Sequence, residues 1–393
     1  MRILSITAQK PDSTGSGVYL SELVKEFKAQ GHEQAVVAGI YKEDKIAFYE
    51  KISVYPVYFK TDKLPFAIAG MSDEMPYEST VYGKMTEEMI EQFEAAFREV
   101  IRKAVEEFNP DVIICHHLYL VTALTRELCP EKKVFGFCHN TDLRQMKKIE
   151  LKRDYIKKQI QRLDGIFSLH EEQKEEIKNI YEVSGEKIQI VGAGYNQHIF
   201  NLNEREQLQE EKKKLRFIFA GKIAEKKGVI SLLRSLSYLP WEKEAVEVVL
   251  AGGYGNEVEG RVIEALAQEA PYSVQFLGKL SQEKLSMEYQ KSDIFVLPSF
   301  YEGFPNVAIE SQASSLPIFM SSKITDEACF SRYSSRISLN VKEKKWANDI
   351  CNLLENYPER KNMSNEMDNI GHNIDKIVEW YEQFYINTYK NLD

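Results

Sequence analysis

The chain has 393 residues, 43% hydrophobic and 28% charged, with a formal net charge of −9. That length exceeds one ordinary core and predicts two domains, while the acidic balance argues against nucleic acid as a partner and leaves room for local basic patches. No apolar run approaches the ~18 residues of a membrane span, and the apolar start turns polar at Gln9 and Lys10, too soon for a signal peptide, so a cytoplasmic chain is expected.

Arg2 to Ala8 reads as a first strand, followed by Pro11 to Gly17 and then a helix with Val18, Leu20, Leu23, Val24 and Phe27 on one face. Strand, glycine-bearing loop and helix open a doubly wound domain, although the full G-x-G-x-x-G fingerprint is absent. Gly15 and Gly17 fit a tight turn and a ligand loop equally well. Further strands are predicted at Gln34 to Ile40 and Ile52 to Phe59. The irregular stretch Lys60 to Lys84, rich in Met, Pro and Tyr around Tyr77, reads as a long loop, either an acceptor contact or an ordinary surface excursion.

A long helix is predicted from Thr86 to Phe108, then strands at Asp111 to His117 and Lys133 to Phe137. Ligands collect at the carboxyl ends of parallel strands, which makes His139, just past such an end, a better candidate than His116 or His117. Asp164 to Leu169 and Ile188 to Val191 read as the last strands of the first domain. The charged run Asn201 to Lys214 reads as the solvated start of the second.

Arg216 to Gly221 restarts the strand pattern. Lys222 and Lys227 follow it, before a helix with Val229, Leu232, Leu233 and Leu236 on its buried side. A solvated lysine cluster is the plain reading; cations fixed at a strand end would also stabilise a group that gains negative charge as it departs. Val246 to Ala251 and Val274 to Gly278 continue the sheet, the first running into Gly252-Gly253-Tyr254-Gly255 and the second into Lys279-Leu280-Ser281. Asp293 to Ser299 is a buried strand that opens into Tyr301-Glu302-Gly303-Phe304-Pro305-Asn306-Val307-Ala308-Ile309-Glu310. Pro305 is expected at the first helical position, with the free amides of Asn306, Val307 and Ala308 pointing outward as an anion site. Beyond Ser322 the pattern weakens, with helices predicted at Trp346 to Tyr357 and Ile374 to Tyr389; the latter carries Ile377, Trp380, Tyr381 and Phe384 at helical spacing. The five cysteines, Cys115, Cys129, Cys138, Cys329 and Cys351, lack C-x-x-C spacing and read as free thiols; no metal site or cofactor is expected.

The pair Glu302 and Glu310 resembles the E-x7-E signature of retaining glycosyltransferases of the GT-B fold, in particular of glycosyltransferase family 4. The resemblance implies two Rossmann-like doubly wound domains facing a cleft. Residues 1–196 would bind the acceptor and 197–373 the nucleotide sugar, while a last helix in 374–393 would return to the first domain. It implies that Glu302 meets the donor sugar, that Gly303, Phe304, Pro305, Asn306 and Val307 offer backbone to phosphate and sugar, and that Glu310 holds the ribose. His139 matches the histidine of a His-x-Thr-Asp segment that faces the sugar. Gly15 and Gly17 match a glycine loop near sugar and diphosphate, Gly221 and Gly253 strand ends close to the nucleotide, and Lys279 and Leu280 the loop that receives the base. Lys227 matches the lysine of a Gly-Arg-(four residues)-Lys-Gly segment. Lys222 stands where that segment has arginine and cannot form the two-pronged guanidinium contact. Ala193-Gly194-Tyr195-Asn196 stands where the family's domain crossover has Asn-Gly-Val-Asp.

The implied reaction moves a hexosyl group from a UDP- or GDP-sugar, itself a substrate and not a cofactor, to a glycan, a lipid-linked acceptor or a small metabolite. Retention by front-face attack is implied. No Asp-x-Asp occurs in the chain, so lysines and helix amides are expected to replace a metal ion. A lipid acceptor would add peripheral contact with the inner face of the membrane. Two rival classes share the architecture: a sugar-nucleotide epimerase and a non-catalytic nucleotide-sugar-binding subunit.

Overall fold

A computed structural model describes residues 1–46, 52–73, 75–202, 214–330, 334–356 and 374–389, the side chains of 382 and 384–389 excepted. The chain divides into two compact units, Met1–Gly192 with Ile377–Asp393, and Ala193–Lys376.

The first unit holds strands β1 (Arg2–Thr7), β2 (Glu33–Ile40), β3 (Ser53–Tyr58), β4 (Ala69–Gly70), β5 (Thr80–Val81), β6 (Val112–His116), β7 (Lys133–Phe137), β8 (Gly165–Ser168) and β9 (Ile188–Ile190). Its helices are α1 (Gly15–Ala29), α2 (Glu87–Phe108), α3 (Leu120–Leu128), α4 (Thr141–Lys148), α5 (Arg153–Ile160) and α6 (Glu171–Tyr181). The described residues build a seven-stranded parallel sheet in the order β3-β2-β1-β6-β7-β8-β9. Helices on both faces explain why β1, β2 and β6 read as nearly unbroken apolar runs instead of alternating ones.

Helix α2 shows the local logic. Thr86 caps it by accepting from the Met89 amide, Glu87 and Glu88 sit in the first turn where the helix dipole favours acids, and Asn109 ends it in the left-handed region at φ 46°. Phe93, Phe97, Ile101, Ala104 and Phe108 form its buried stripe, with the Phe93 and Phe97 rings 4.6 Å apart and Phe59 packed on both. The described part of 60–84 is more than a surface excursion. Leu64, Ala67, Ile68, Ala69, Met71 and Tyr82 are buried in the same core, and β4 pairs with β5. Short apolar clusters without a regular period gave no sign of this in the sequence.

The last helix, Ile374–Tyr389, turns Ile377, Val378 and Tyr381 into the first unit. The Tyr381 ring lies 4.5 Å from that of Phe167 and 5.9 Å from that of Phe27. Its aromatic stripe is core packing, as the spacing suggested, although Phe384 falls outside the described side chains.

The second unit carries β10 (Leu215–Ala220), β11 (Val246–Ala251), β12 (Ser273–Gly278), β13 (Ile294–Leu297), β14 (Ile318–Ser321) and β15 (Ser334–Ile337). They form a six-stranded parallel sheet in the order β12-β11-β10-β13-β14-β15. Helices α7 (Val229–Leu236), α8 (Glu257–Glu269), α9 (Gln282–Lys291), α10 (Asn306–Ala313) and α11 (Glu343–Glu355) belong to this unit. The strand order reverses beside β10, which has β11 on one side and β13 on the other, and beside β1 in the first unit, which has β2 and β6. These are the two places where an open α/β sheet receives a ligand. Most of the predicted charged run 201–214 lies outside the described residues.

Phe97 anchors the aromatic cluster under the first sheet. Phe97→Ala should lower the unfolding free energy by about 3–5 kcal/mol, read as a fall in the urea midpoint; a shift within experimental error would mean that α2 does not hold this core.

Candidate functional site

In the second unit the three loops that leave β10, β11 and β12 are laced by their backbones. Gly221 N donates to Ala251 O at 2.9 Å, Ile223 N to Gly253 O at 2.9 Å, and Gly252 N to Gly278 O at 2.8 Å. Gly252 has φ +150°, and a Cβ there would fall 1.7 Å from the Gly221 carbonyl oxygen, so only glycine lets the two loops touch. The Lys279 stem passes over Gly253, where an added Cβ would lie 3.3 Å from its Cε, and the Lys222 stem passes near Gly255. Leu280 is half-buried, directly before Ser281, the cap of α9.

On the other side of β10 the structure joins two predicted residues. Lys227 Nζ donates to Glu302 Oε1 at 2.7 Å, and Ser299 Oγ donates to the same oxygen at 2.7 Å. Lys227 and Glu302 are only partly exposed, at 21% and 14% of their side chains. An ammonium has three donors, so two remain for a ligand. Ser299, fully buried two residues past the end of β13, was not singled out by sequence reasoning; its place three residues before Glu302 is the one available clue.

Helix α10 begins one residue later than expected. Pro305 is its cap, in extended conformation at φ −79° and ψ 106°, and Ala308 N donates to Pro305 O at 3.0 Å. The expectation that Ala308 offers a free amide is therefore corrected: a tight first turn consumes it. Asn306 and Val307 lie too early for an intrahelical acceptor, and no side chain caps the helix. Gly303 is half-buried, Phe304 and Pro305 are buried, and Glu310 is 6% exposed on the inner side of the helix.

In the first unit Thr14 caps α1 by accepting from Gly17 N at 3.1 Å. Gly17 is tight against the loop before it, where a Cβ would sit 2.9 Å from Lys10 O and Asp12 N, whereas Gly15 faces open space. Gly17 is thus a packing glycine and Gly15 the one with room for a ligand.

His139 does not stand alone. Its Nε2 lies 3.1 Å from His116 Nδ1, and the His117 ring centroid is 4.8 Å from its own. The preference for His139 over His116 and His117 becomes a cluster of all three. Asp142 ties this end of the sheet together, since its carboxylate accepts from Leu118 N at 2.7 Å and His139 N at 3.1 Å. Burial pushes the Asp142 carboxyl up to about 6. Burial, with a neighbouring imidazole at His116, pulls His116 and His117 down to about 3, and burial with both neighbours holds His139 well below the ordinary imidazole range. Among the described residues no group of three or more His, Cys, Asp or Glu is placed to hold a metal ion, and no helix is long and apolar enough to cross a membrane.

Two parallel, doubly wound sheets, each with a strand-order reversal, are the architecture of the GT-B fold. Residues 13–198 match Glycosyltransferase Family 4 and residues 201–369 match Glycosyl transferases group 1, so the chain belongs to the family 4 glycosyltransferases. An uncharacterised glycosyltransferase of Methanocaldococcus jannaschii is 29% identical over 161 residues, 38% of this chain and 40% of that protein. The chain spans about half the length of the curated relatives it matches. Among solved structures, sucrose-phosphate synthase from Thermosynechococcus elongatus superposes with a TM-score of 0.75 at 18% identity, covering 100% of both chains. Anabaena HepE in complex with UDP-glucose superposes at 0.70 with 13% identity, covering 98% of this chain and 100% of that one.

The buried titratable groups make a pH prediction with competing signs. The stability tied to neutral His116 and His117 is present above about 6.5 and is lost as pH falls toward about 3. Asp142 works the other way, contributing below about 3.8 and losing that contribution as pH rises through about 6. His116 and His117 alone outweigh the one carboxyl, and His139, held well below the imidazole range, adds to them in the same direction, so unfolding free energy should drop by at least roughly 3–5 kcal/mol between pH 6.5 and 4. Urea titrations across that range should also show a shallower slope for His116→Phe; a flat profile in the wild type would contradict the buried, neutral cluster.

Proposed function

We propose that this chain transfers a hexosyl group, with retention, from a UDP- or GDP-sugar to a glycan, lipid-linked or small-molecule acceptor. The observation that carries the reading is the Lys227–Glu302 pair beside the uncapped start of α10, at the strand-order reversal of the second sheet. A leaving diphosphate gains charge as the glycosidic bond breaks. Two spare ammonium donors on Lys227 and the amides of Asn306 and Val307 meet that charge without reorganising, so they stabilise the transition state more than the ground state. The same helix end favours an anion through its dipole.

The remaining assignments follow the family pattern. Residues 197–373 take the donor and 1–196 the acceptor. Glu302, through the oxygen not held by Lys227 and Ser299, and His139 take hydroxyls of the donor sugar, and Lys222 supplies a second, weaker cation. Gly221 and Gly253 line the nucleotide, Lys279 and Leu280 the base, Gly303 to Pro305 the phosphate and sugar, and Glu310 the ribose. Gly15 leaves room for the sugar beside the turn that Gly17 closes. In front-face transfer the departing phosphate accepts the proton of the acceptor hydroxyl as the new glycosidic bond forms on the face the phosphate leaves. That HepE was solved with UDP-glucose supports a uridine nucleotide as the first donor to try.

Lys227→Ala and Glu302→Gln should each lower turnover by about 10²–10³-fold, and His139→Ala by about 10-fold, while cooperative unfolding is kept. The assay is release of nucleoside diphosphate from a panel of nucleotide sugars, with and without candidate acceptors. Interconversion of donor sugars without acceptor would mark an epimerase, binding without turnover a silent subunit, and full activity in all three variants would refute the site.

A further inference from the structure

We propose that His116 is a positioning residue that fixes the tautomer of His139, placing its proton on Nδ1, so that His139 presents an N–H donor at the carboxyl end of β7.

The parallel register of β6 and β7 sets His116 beside Phe137, two residues before His139. The two imidazoles are nearly parallel, 15° apart in plane with centroids 5.3 Å apart, and the Phe137 ring stacks on both. Their contact, Nδ1 of His116 to Nε2 of His139 at 3.1 Å, is a hydrogen bond between two neutral rings, so one proton lies in it. Two arrangements are open. If His139 Nε2–H donated, the His116 proton would have to sit on Nε2. That atom is buried without a partner, and the N–H would be stranded. If His116 Nδ1–H donates, its Nε2 is a bare lone pair. Orphaned buried N–H groups are the rarer kind in folded chains, so the second arrangement wins.

His139 then accepts at Nε2 and must carry its own proton on Nδ1. Among the described residues that nitrogen has no partner, and His139 is the partly exposed member of the cluster, His116 and His117 being 3% and 4% exposed. His117 does not compete for it, because its ring takes the Gln9 side-chain amide. An N–H donor recognises an oxygen lone pair, so the ligand group met here is a hydroxyl or phosphate oxygen acting as acceptor, and His139 is not a base toward it. That the oxygen belongs to a donor sugar rests on the function proposed above.

Long-range ¹H–¹⁵N spectra of histidine-labelled full-length protein near pH 7.5 test this without substrate, with His139 assigned by its loss in His139→Ala. The expected spectrum shows His139 protonated at δ1 and bare at ε2. In His116→Phe the population should move to the ε2-protonated form, and kcat/KM should fall by about 3- to 10-fold. A wild-type His139 protonated at ε2, or a tautomer unchanged in His116→Phe, overturns the proposal; if that variant does not fold, the wild-type spectrum alone decides. Loss of all transfer activity in the wild type, with the δ1 tautomer present, would remove the functional reading and leave the assignment standing.

Discussion

The second sheet depends on one close approach of backbone to backbone. Gly228, at φ +74°, lies so near the end of β13 that a Cβ would fall 2.2 Å from the Pro298 carbonyl oxygen. Two positions away, Phe300 N donates to Lys226 O at 3.0 Å. The loops after β10 and β13 are thereby zipped together. Lys227 and Glu302 need span no gap, and their ion pair follows from the glycine. A side chain at 228 would part the loops and the charges with them, which makes this glycine as much a part of the candidate site as the lysine before it.

The first unit solves the same problem with different chemistry. There the loops after β6 and β7 are joined by Asp142, whose carboxylate takes the amides of Leu118 and His139. Glu302 is half-buried and held by a cation and a hydroxyl; Asp142 is fully buried and held by backbone N–H groups and the Cys138 thiol. An acid tied up by fixed amides is scaffold, because its lone pairs are spent. An acid held through one oxygen keeps the other for a ligand. That contrast separates the structural carboxylate of the His-x-Thr-Asp segment from the candidate site carboxylate of E-x7-E.

What the sequence made legible follows the same physics. Strands β1, β2, β6, β7, β10, β11 and β13 were readable because parallel strands buried on both faces give apolar runs, and α2 because its apolar residues recur every turn. The two glutamates and Lys227 were readable from local spacing. Their ion pair, with Ser299 as a third member, was not, because it depends on which strand neighbours β10. The histidine cluster was hidden for the same reason: His116 meets His139 only through the register of β6 on β7. Pro305 was misplaced by one residue because proline is favoured at the first helical position, and only the extended ψ of 106° shows it at the cap instead.

A neutral His139 also bears on how labour would be divided in the proposed transfer. A protonated imidazole could stabilise a leaving diphosphate through its charge, but burial and two neighbouring imidazoles keep this ring uncharged. Its contribution is then directional, a single N–H whose worth is on the order of 1 kcal/mol unless the partner is charged. In the transfer proposed above, charge compensation would then fall to Lys227, to Lys222 and to the start of α10. Lysine is a point charge on a flexible stem, so its effect depends on being held in place. Glu302 does that holding for Lys227, leaving the ammonium oriented while two of its three N–H bonds stay available.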